Sequence, residues 1–127
     1  MTNHLFKLEL LNIETVKSFQ EFLDPGELKD FFKRAAIELS ASQHLMQINY
    51  VANDWGSLQA HAHRLKGSLG SLGCDQLFAA LEQIEDQLRM IPIKLPTNNQ
   101  MTELQIIITA TLFSLKNVEP PNPLDSQ

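Results

Sequence analysis

The sequence predicts an all-α fold: an antiparallel four-helix bundle with an additional short N-terminal helix. Three observations carry this expectation. Apolar residues recur at three- and four-residue spacing in one segment after another. Capping residues, prolines or glycines punctuate those segments. Only Ile106-Ile107-Ile108-Thr109 has the β-branched composition of a strand, and no other segment offers it a convincing partner.

The first helix is expected over about Asn12 to Leu23, with Ile13, Val16, Phe19 and Leu23 on one side. Asp24-Pro25-Gly26-Glu27 stops it and starts the next. Asp24 caps free N–H groups, Pro25 has the fixed φ suited to a first helical position, and Glu27 completes a capping box. The second helix carries Leu28, Phe31, Phe32, Ala35, Leu39 and Met46 on its apolar face and runs to about Tyr50. No charged residue occurs from Leu39 to Asn53, which implies burial or a contact surface. Asp54 caps the third helix, whose Trp55, Leu58, Ala62, Leu65 and Leu69 form the stripe of a bundle helix. Gly70 to Gly73 end it. Cys74 or Asp75 opens the fourth, with Leu77, Leu81, Ile84 and Leu88 in line before Pro92. Thr97 and Gln100 suit a second capping box, and Met101, Leu104, Ile108, Leu112 and Leu115 keep helical spacing over the ambiguous last segment.

The 127 residues amount to about one domain. A bundle domain over 1–117 and a flexible, Pro-rich C-terminal tail over 118–127 are expected. Ten Lys and Arg against fifteen Asp and Glu give a net charge of −5, so the surface as a whole repels nucleic acid and anionic lipid, and no basic stripe offsets this. A single cysteine, Cys74, excludes an internal disulfide and a cysteine-cluster zinc site. The N-terminus is broken by Lys7, Glu9 and Glu14 and does not read as a signal peptide; Leu104 to Leu115 is too short to span a bilayer. A cytoplasmic, free-standing protein is the resulting expectation. No Gly-rich phosphate loop, G-x-S-x-G or H-E-x-x-H occurs, and nothing resembles an ATP-binding kinase module.

The informative segment runs from His61 to Gly73. At about 100° per residue, His63 lies roughly 130° from the core direction and His61 about 70°. His63 is therefore expected in solvent and His61 at the core edge. About 200° separates them, too much for one metal ion on a regular helix. Gly56, Gly67 and Gly70 share the His63 face, at a cost of about 1 kcal/mol each relative to alanine. For Gly70 helix termination is a sufficient explanation; for Gly67 close approach of a partner is the better one. Lys66, three residues on, shares the His63 patch. A neutral imidazole is a nucleophile near pH 7 and attacks phosphorus directly, and a neighbouring ammonium offsets the charge gained. By itself, an exposed histidine beside a lysine is more often an ordinary surface pair.

His63-Arg64-Leu65-Lys66-Gly67-Ser68 resembles the signature of histidine-containing phosphotransfer (HPt) domains, H-x-L-K-G-S-S followed by a glycine and L-x-x-L-C-x-x-L-E. Ala62, Gly73, and Leu77, Ala80, Ile84 and Glu85 continue the likeness, and Asn53-Asp54-Trp55 is similar to the family's entry to the histidine helix. The resemblance covers about Leu23 to Leu88. Leu69 and Leu81 depart from the pattern at inward positions. The resemblance implies that His63 is the phosphoacceptor, through Nε2, in a two-component phosphorelay. It implies Lys66 as phosphoryl stabiliser, Gly67 as the point of close approach, and Gln59 as a polar contact near the ring. The implied partners are response-regulator receiver domains, which supply Mg²⁺, and a hybrid sensor kinase. The chain itself then binds no cofactor, has no autokinase activity and works as a monomer. The competing expectation is a non-phosphorylated adaptor that binds a receiver or kinase domain. Docking is expected on the His63 face together with apolar side chains of the first two helices, drawn from Leu10, Leu11, Ile13, Val16 and Phe19.

The remaining polar residues invite plainer readings. Ser68 is expected to bond back to its own helix. Glu82, Glu85 and Asp86 read as a solvated helix face, with Arg89 pairing Glu85 at i+4. Cys74 reads as a small apolar residue, and His4 and His44 have no companions.

Overall fold

The computed structural model describes residues 8–118. Five helices follow in order: α1 (Ile13–Gln20), α2 (Pro25–Val51), α3 (Trp55–Gly70), α4 (Asp75–Leu88) and α5 (Asn98–Lys116). Among the described residues there is no strand, and Ile106 to Thr109 lie within α5. His4 and the expected tail lie outside the described residues, apart from Val118, which is partly buried against the core.

The helix starts follow the local chemistry. Asp24 and Glu27 exchange side-chain-to-backbone hydrogen bonds at the start of α2, and Thr97 and Gln100 do the same at α5. Each such cap is worth about 1 kcal/mol. Asp54 accepts from the Ser57 N–H, and the Ser57 side chain, followed by this backbone bond, holds its carboxyl below the usual carboxylate range. Asn53 just before it has φ +56°, the left-handed conformation asparagine tolerates. Only α4 lacks a capping side chain. Its Gln76 N–H instead donates to the Glu9 carbonyl, and the Gln76 side chain donates to the Leu8 carbonyl.

The first helix is shorter than expected, ending at Gln20 rather than Leu23. Asp24 must adopt an extended backbone (ψ 168°) to cap α2, so the chain leaves helical geometry before it. No residue of α1 is fully buried. It is held by Phe19, whose ring meets Phe31 and Phe32 edge-on, and by Asn12, which donates to the Gly73 carbonyl and to Asp75.

Paired residues show that α2 to α5 alternate in direction. On α2 and α5, Tyr50 meets Asn98 while Gln43 meets Gln105. On α2 and α3, Asn49 meets His61 while Glu38 meets Ser68. On α3 and α4, His63 meets Glu85 while Gly70 faces Phe78. In each case later residues on one helix meet earlier ones on the other. The four helices enclose one core that includes Leu28, Phe32, Leu39, Met46, Leu58, Leu65, Leu77, Leu81, Leu104 and Ile108. Leu69 and Leu81, the two departures from the family pattern, are both buried in it.

The charge-free half of α2 is buried along one side only. Ser42, Met46 and Asn49 face inward, while Leu45, Ile48 and Val51 stand exposed on the outer side. No helix of the described residues is long and apolar enough to cross a membrane.

Candidate functional site

The apolar stripe of α3 turns Leu58, Ala62, Leu65 and Leu69 into the core, and this fixes where its other residues point. His63 falls on the outer side, its side chain 62% exposed. His61 is half-buried at the seam with α2, its Nδ1 2.7 Å from Asn49 Oδ1. The two rings thus face different helices.

His63 Nδ1 lies 2.6 Å from Oε2 of Glu85 on α4. An ionised carboxylate only accepts hydrogen bonds, so Nδ1 carries the proton. In the neutral ring Nε2 then bears the free lone pair. Among the described residues Nε2 has no hydrogen-bond partner, and it belongs to a mostly exposed ring.

Glu85 is the residue that sequence reasoning placed wrongly. It was expected on a solvated face with Glu82 and Asp86, but its side chain is fully buried while Asp86 is exposed. Three basic side chains cover it. His63 and Arg89 reach Oε2, at 2.6 and 2.8 Å, and the Lys66 ammonium lies 2.7 Å from Oε1. The expected Arg89–Glu85 pair at i+4 is therefore present, as one part of a larger cluster. Burial, the largest single influence, pushes the Glu85 carboxyl up. The contacts from Lys66 and His63 and the charges of Lys66 and Arg89 outweigh it, and the carboxyl titrates below its ordinary value. A sequence signal did exist: Glu85 stands four residues after Leu81 and three before Leu88, at the edge of the inward stripe of α4.

Lys66 shares the His63 patch but is not a free surface ammonium. Its side chain is 20% exposed, lies against Glu85 and sits 5.7 Å from the centre of the Phe78 ring. Oε1 of Glu85 receives no well-directed hydrogen bond, so the Lys66 contact is mainly one of charge. With His63 neutral, the cluster of Glu85, Lys66 and Arg89 sums to one positive charge beside the exposed ring.

The glycines of this face divide. A Cβ at Gly67 or Gly56 would meet nothing within 4 Å, so the surface there is open. A Cβ at Gly70 would fall 2.5 Å from the Phe78 ring, so that glycine serves contact between α3 and α4 and not the approach of a partner. Gly73, with φ +87°, turns the chain into α4 beneath Asn12 and Thr15. Gln59 is partly buried and makes no hydrogen bond to His63. Ser68 does not bond back to its own helix; its hydroxyl donates to Glu38 Oε1 across the seam with α2, at 3.2 Å. At about 90° from the core it faces that neighbour directly.

A shallow groove lined by Phe31, Arg34, Glu38, Ser68 and Ser71 runs between α2 and α3, beginning five residues beyond His63 along α3. Of the apolar candidates for docking, Ile13 is exposed and Leu10, Leu11, Val16 and Phe19 are partly buried; Phe22, at 81% exposure, is the most prominent nearby. Cys74 is buried and its thiol is pushed up to about 12 by burial and by Asp75, which makes it unreactive. Among the described residues, no group of three or more His, Cys, Asp and Glu side chains is arranged to hold a metal ion.

A family model, the Hpt domain, matches residues 27–111, from the first turn of α2 into α5. No curated protein and no solved structure matches the chain.

Proposed function

Because the chain belongs to the Hpt domain family, whose members are phosphocarriers of two-component signalling rather than enzymes, we propose that His63 Nε2 carries a phosphoryl group between receiver-domain aspartates. The observation that carries this reading is the hydrogen bond from His63 Nδ1 to buried Glu85, which leaves the Nε2 lone pair for attack.

The step balances within the site. The Nε2 lone pair forms the N–P bond as the P–O bond to the receiver's aspartate breaks, and the departing electrons return to that carboxylate. The proton on Nδ1 stays in place. The ring gains a positive charge as it bonds phosphorus, and the Glu85 carboxylate lies against it. Lys66 and Arg89 supply positive charge beside the incoming phosphoryl oxygens. The open surface at Gly67 lets the receiver's backbone come close. Return of the phosphoryl to a second aspartate reverses these events.

In this reading the chain is a cytoplasmic monomer without autokinase activity. A hybrid sensor kinase stands upstream, and the receiver brings the Mg²⁺. The phosphorylated surface is modest and transient, as a carrier visited by several partners requires.

Incubation with a phosphorylated receiver tests the proposal. The wild-type chain and His61→Gln should acquire an acid-labile, alkali-stable phosphate, and His63→Gln should acquire none while remaining folded. Binding of the receiver with no phosphate on the wild-type chain would make the protein an adaptor instead. Label that survives His63→Gln and vanishes in His61→Gln would overturn the assignment of the acceptor.

A further inference from the structure

We infer that Glu85 holds the Nδ1 proton of His63 in place after phosphorylation, and so keeps the phosphoryl group transferable at alkaline pH. This rests on the carrier reading and concerns what happens once Nε2 bears phosphorus.

Transfer onward breaks the N–P bond, and its electrons return to the ring. If Nδ1 is still protonated, the departing group is a neutral imidazole. If that proton has been lost, the departing group is an imidazolate anion, a far stronger base and a poor leaving group. The Nδ1 proton therefore decides whether the phosphorylated chain is a donor or a dead end. Phosphorylation itself does not consume or release that proton; solvent base does, as pH rises.

The charges around the ring favour retention. Glu85 approaches from α4, with Arg89 beside it; Lys66 approaches from α3; and α2 contributes Glu38, engaged by Ser68 farther along the helix. Glu85 is the anion that touches the ring, through Nδ1 itself. Before phosphorylation Glu85, Lys66 and Arg89 sum to +1. A dianionic phosphoryl group and a ring made cationic by its retained proton bring the sum to zero. Loss of the Nδ1 proton would take the cluster to −1 and leave a buried carboxylate facing a bare nitrogen lone pair. Removal of the Glu85 charge reverses this preference: the phosphorylated cluster would then stand at +1 with the proton and zero without it. Glu85 is in this sense a positioning residue, acting on phosphorus through the ring.

The experiment uses the whole chain phosphorylated by phosphoramidate, a small donor that needs no docking surface. The ³¹P resonance of the phosphohistidine is followed as pH rises. The ring should lose its proton at a pH about one to three units higher in the wild-type chain than in Glu85→Gln, the range expected for an opposite charge in contact. Equal midpoints would overturn the inference while leaving the carrier reading intact. Absence of phosphohistidine in the wild-type chain would overturn the carrier reading and this inference with it. Should Glu85→Gln fail to fold, the wild-type chain alone decides. A ¹H–¹⁵N resonance from Nδ1 of phosphorylated His63 at about pH 9, well above the ordinary imidazole range, supports the inference. A bare Nδ1 at that pH rejects it.

Discussion

His61 and His63 stand two residues apart on α3, and each offers Nδ1 to a side chain of a neighbouring helix. His61 turns toward α2 and bonds a neutral amide oxygen, that of Asn49. His63 turns toward α4 and bonds a carboxylate, buried beneath itself and two full cations. One ring is half-buried and the other mostly in solvent. The residue type is the same and the hydrogen bond has nearly the same length. The partner's charge and the ring's exposure make one a seam contact and suit the other to the nucleophilic role proposed for it. An imidazole thus acquires its chemistry from the helix across the groove as much as from its own.

Several changes would break or sharpen that contrast. The largest effect on His63 should come from closing the surface beside it. Gly67→Leu should lower transfer from a phosphorylated receiver by about 100-fold, the scale of a misplaced reacting group. It should leave phosphorylation by phosphoramidate nearly unchanged and raise the thermal midpoint by a few degrees, because α3 loses a glycine and nothing in the chain lies within 4 Å of the added Cβ. Receiver-dependent labelling and small-donor labelling, run side by side, check this.

Next comes loss of each ring's partner. Glu85→Ala should slow transfer to His63 by at least about tenfold, some 1.4 kcal/mol of barrier. Asn49→Ala should leave transfer within about twofold, yet cost about 1–2 kcal/mol of stability, because a half-buried Nδ1 loses its acceptor. Transfer kinetics and denaturant unfolding separate the two outcomes. If Asn49→Ala slowed transfer as much as Glu85→Ala, the contrast between the rings would disappear.

Acid should act on one side of the contrast only. The Glu85 carboxyl is depressed in the folded chain below its ordinary value of 4.5. The stability it contributes is therefore fully present above that value and is lost as pH falls through the lower, folded one. Unfolding measured across this acidic window should show a stability slope that Glu85→Gln reduces, while Asn49→Ala retains it.

The smallest effect concerns salt. The net positive cluster should speed encounter with an acidic receiver surface, so association should slow several-fold as ionic strength rises toward about 1 M. Replacement of exposed Arg64 by Gln should flatten this dependence only slightly, since Lys66 and Arg89 remain.

The legible parts of this molecule were those encoded locally. Asp24-Pro25-Gly26-Glu27 and Thr97 with Gln100 announce helix starts through contacts three residues apart, and the structure contains both capping boxes. The stripe from Leu58 to Leu69 set the outward direction of His63 by rotation alone. The ambiguous Ile106 to Thr109 resolved as helix, because its β-branched residues kept helical spacing with Leu104 and Leu115. The illegible parts were pairings across the bundle. His63 meets Glu85 from 22 positions away, and Ser68 meets Glu38 from 30. Periodicity shows which face a side chain takes, but not which neighbour occupies the facing groove. Glu85 read as solvated because its neighbours Glu82 and Asp86 are acidic too; only the convergence of Lys66, Arg89 and His63 compensates its burial. Gly70 was grouped with Gly67 on one face, and Phe78, from the next helix, separates their roles.

The uncharged outer side of α2 bears on how the protein behaves in a test tube. Leu45, Ile48 and Val51 lie there with no lysine, arginine or carboxylate among them to keep other molecules at a distance. Most of the chain is protected by its overall negative charge, which vanishes near pH 5.2. Around that pH this strip should be where colloidal attraction begins, and solubility should pass through a minimum. Ile48→Lys should raise that minimum, with little disturbance to packing, because the isoleucine is already half in water.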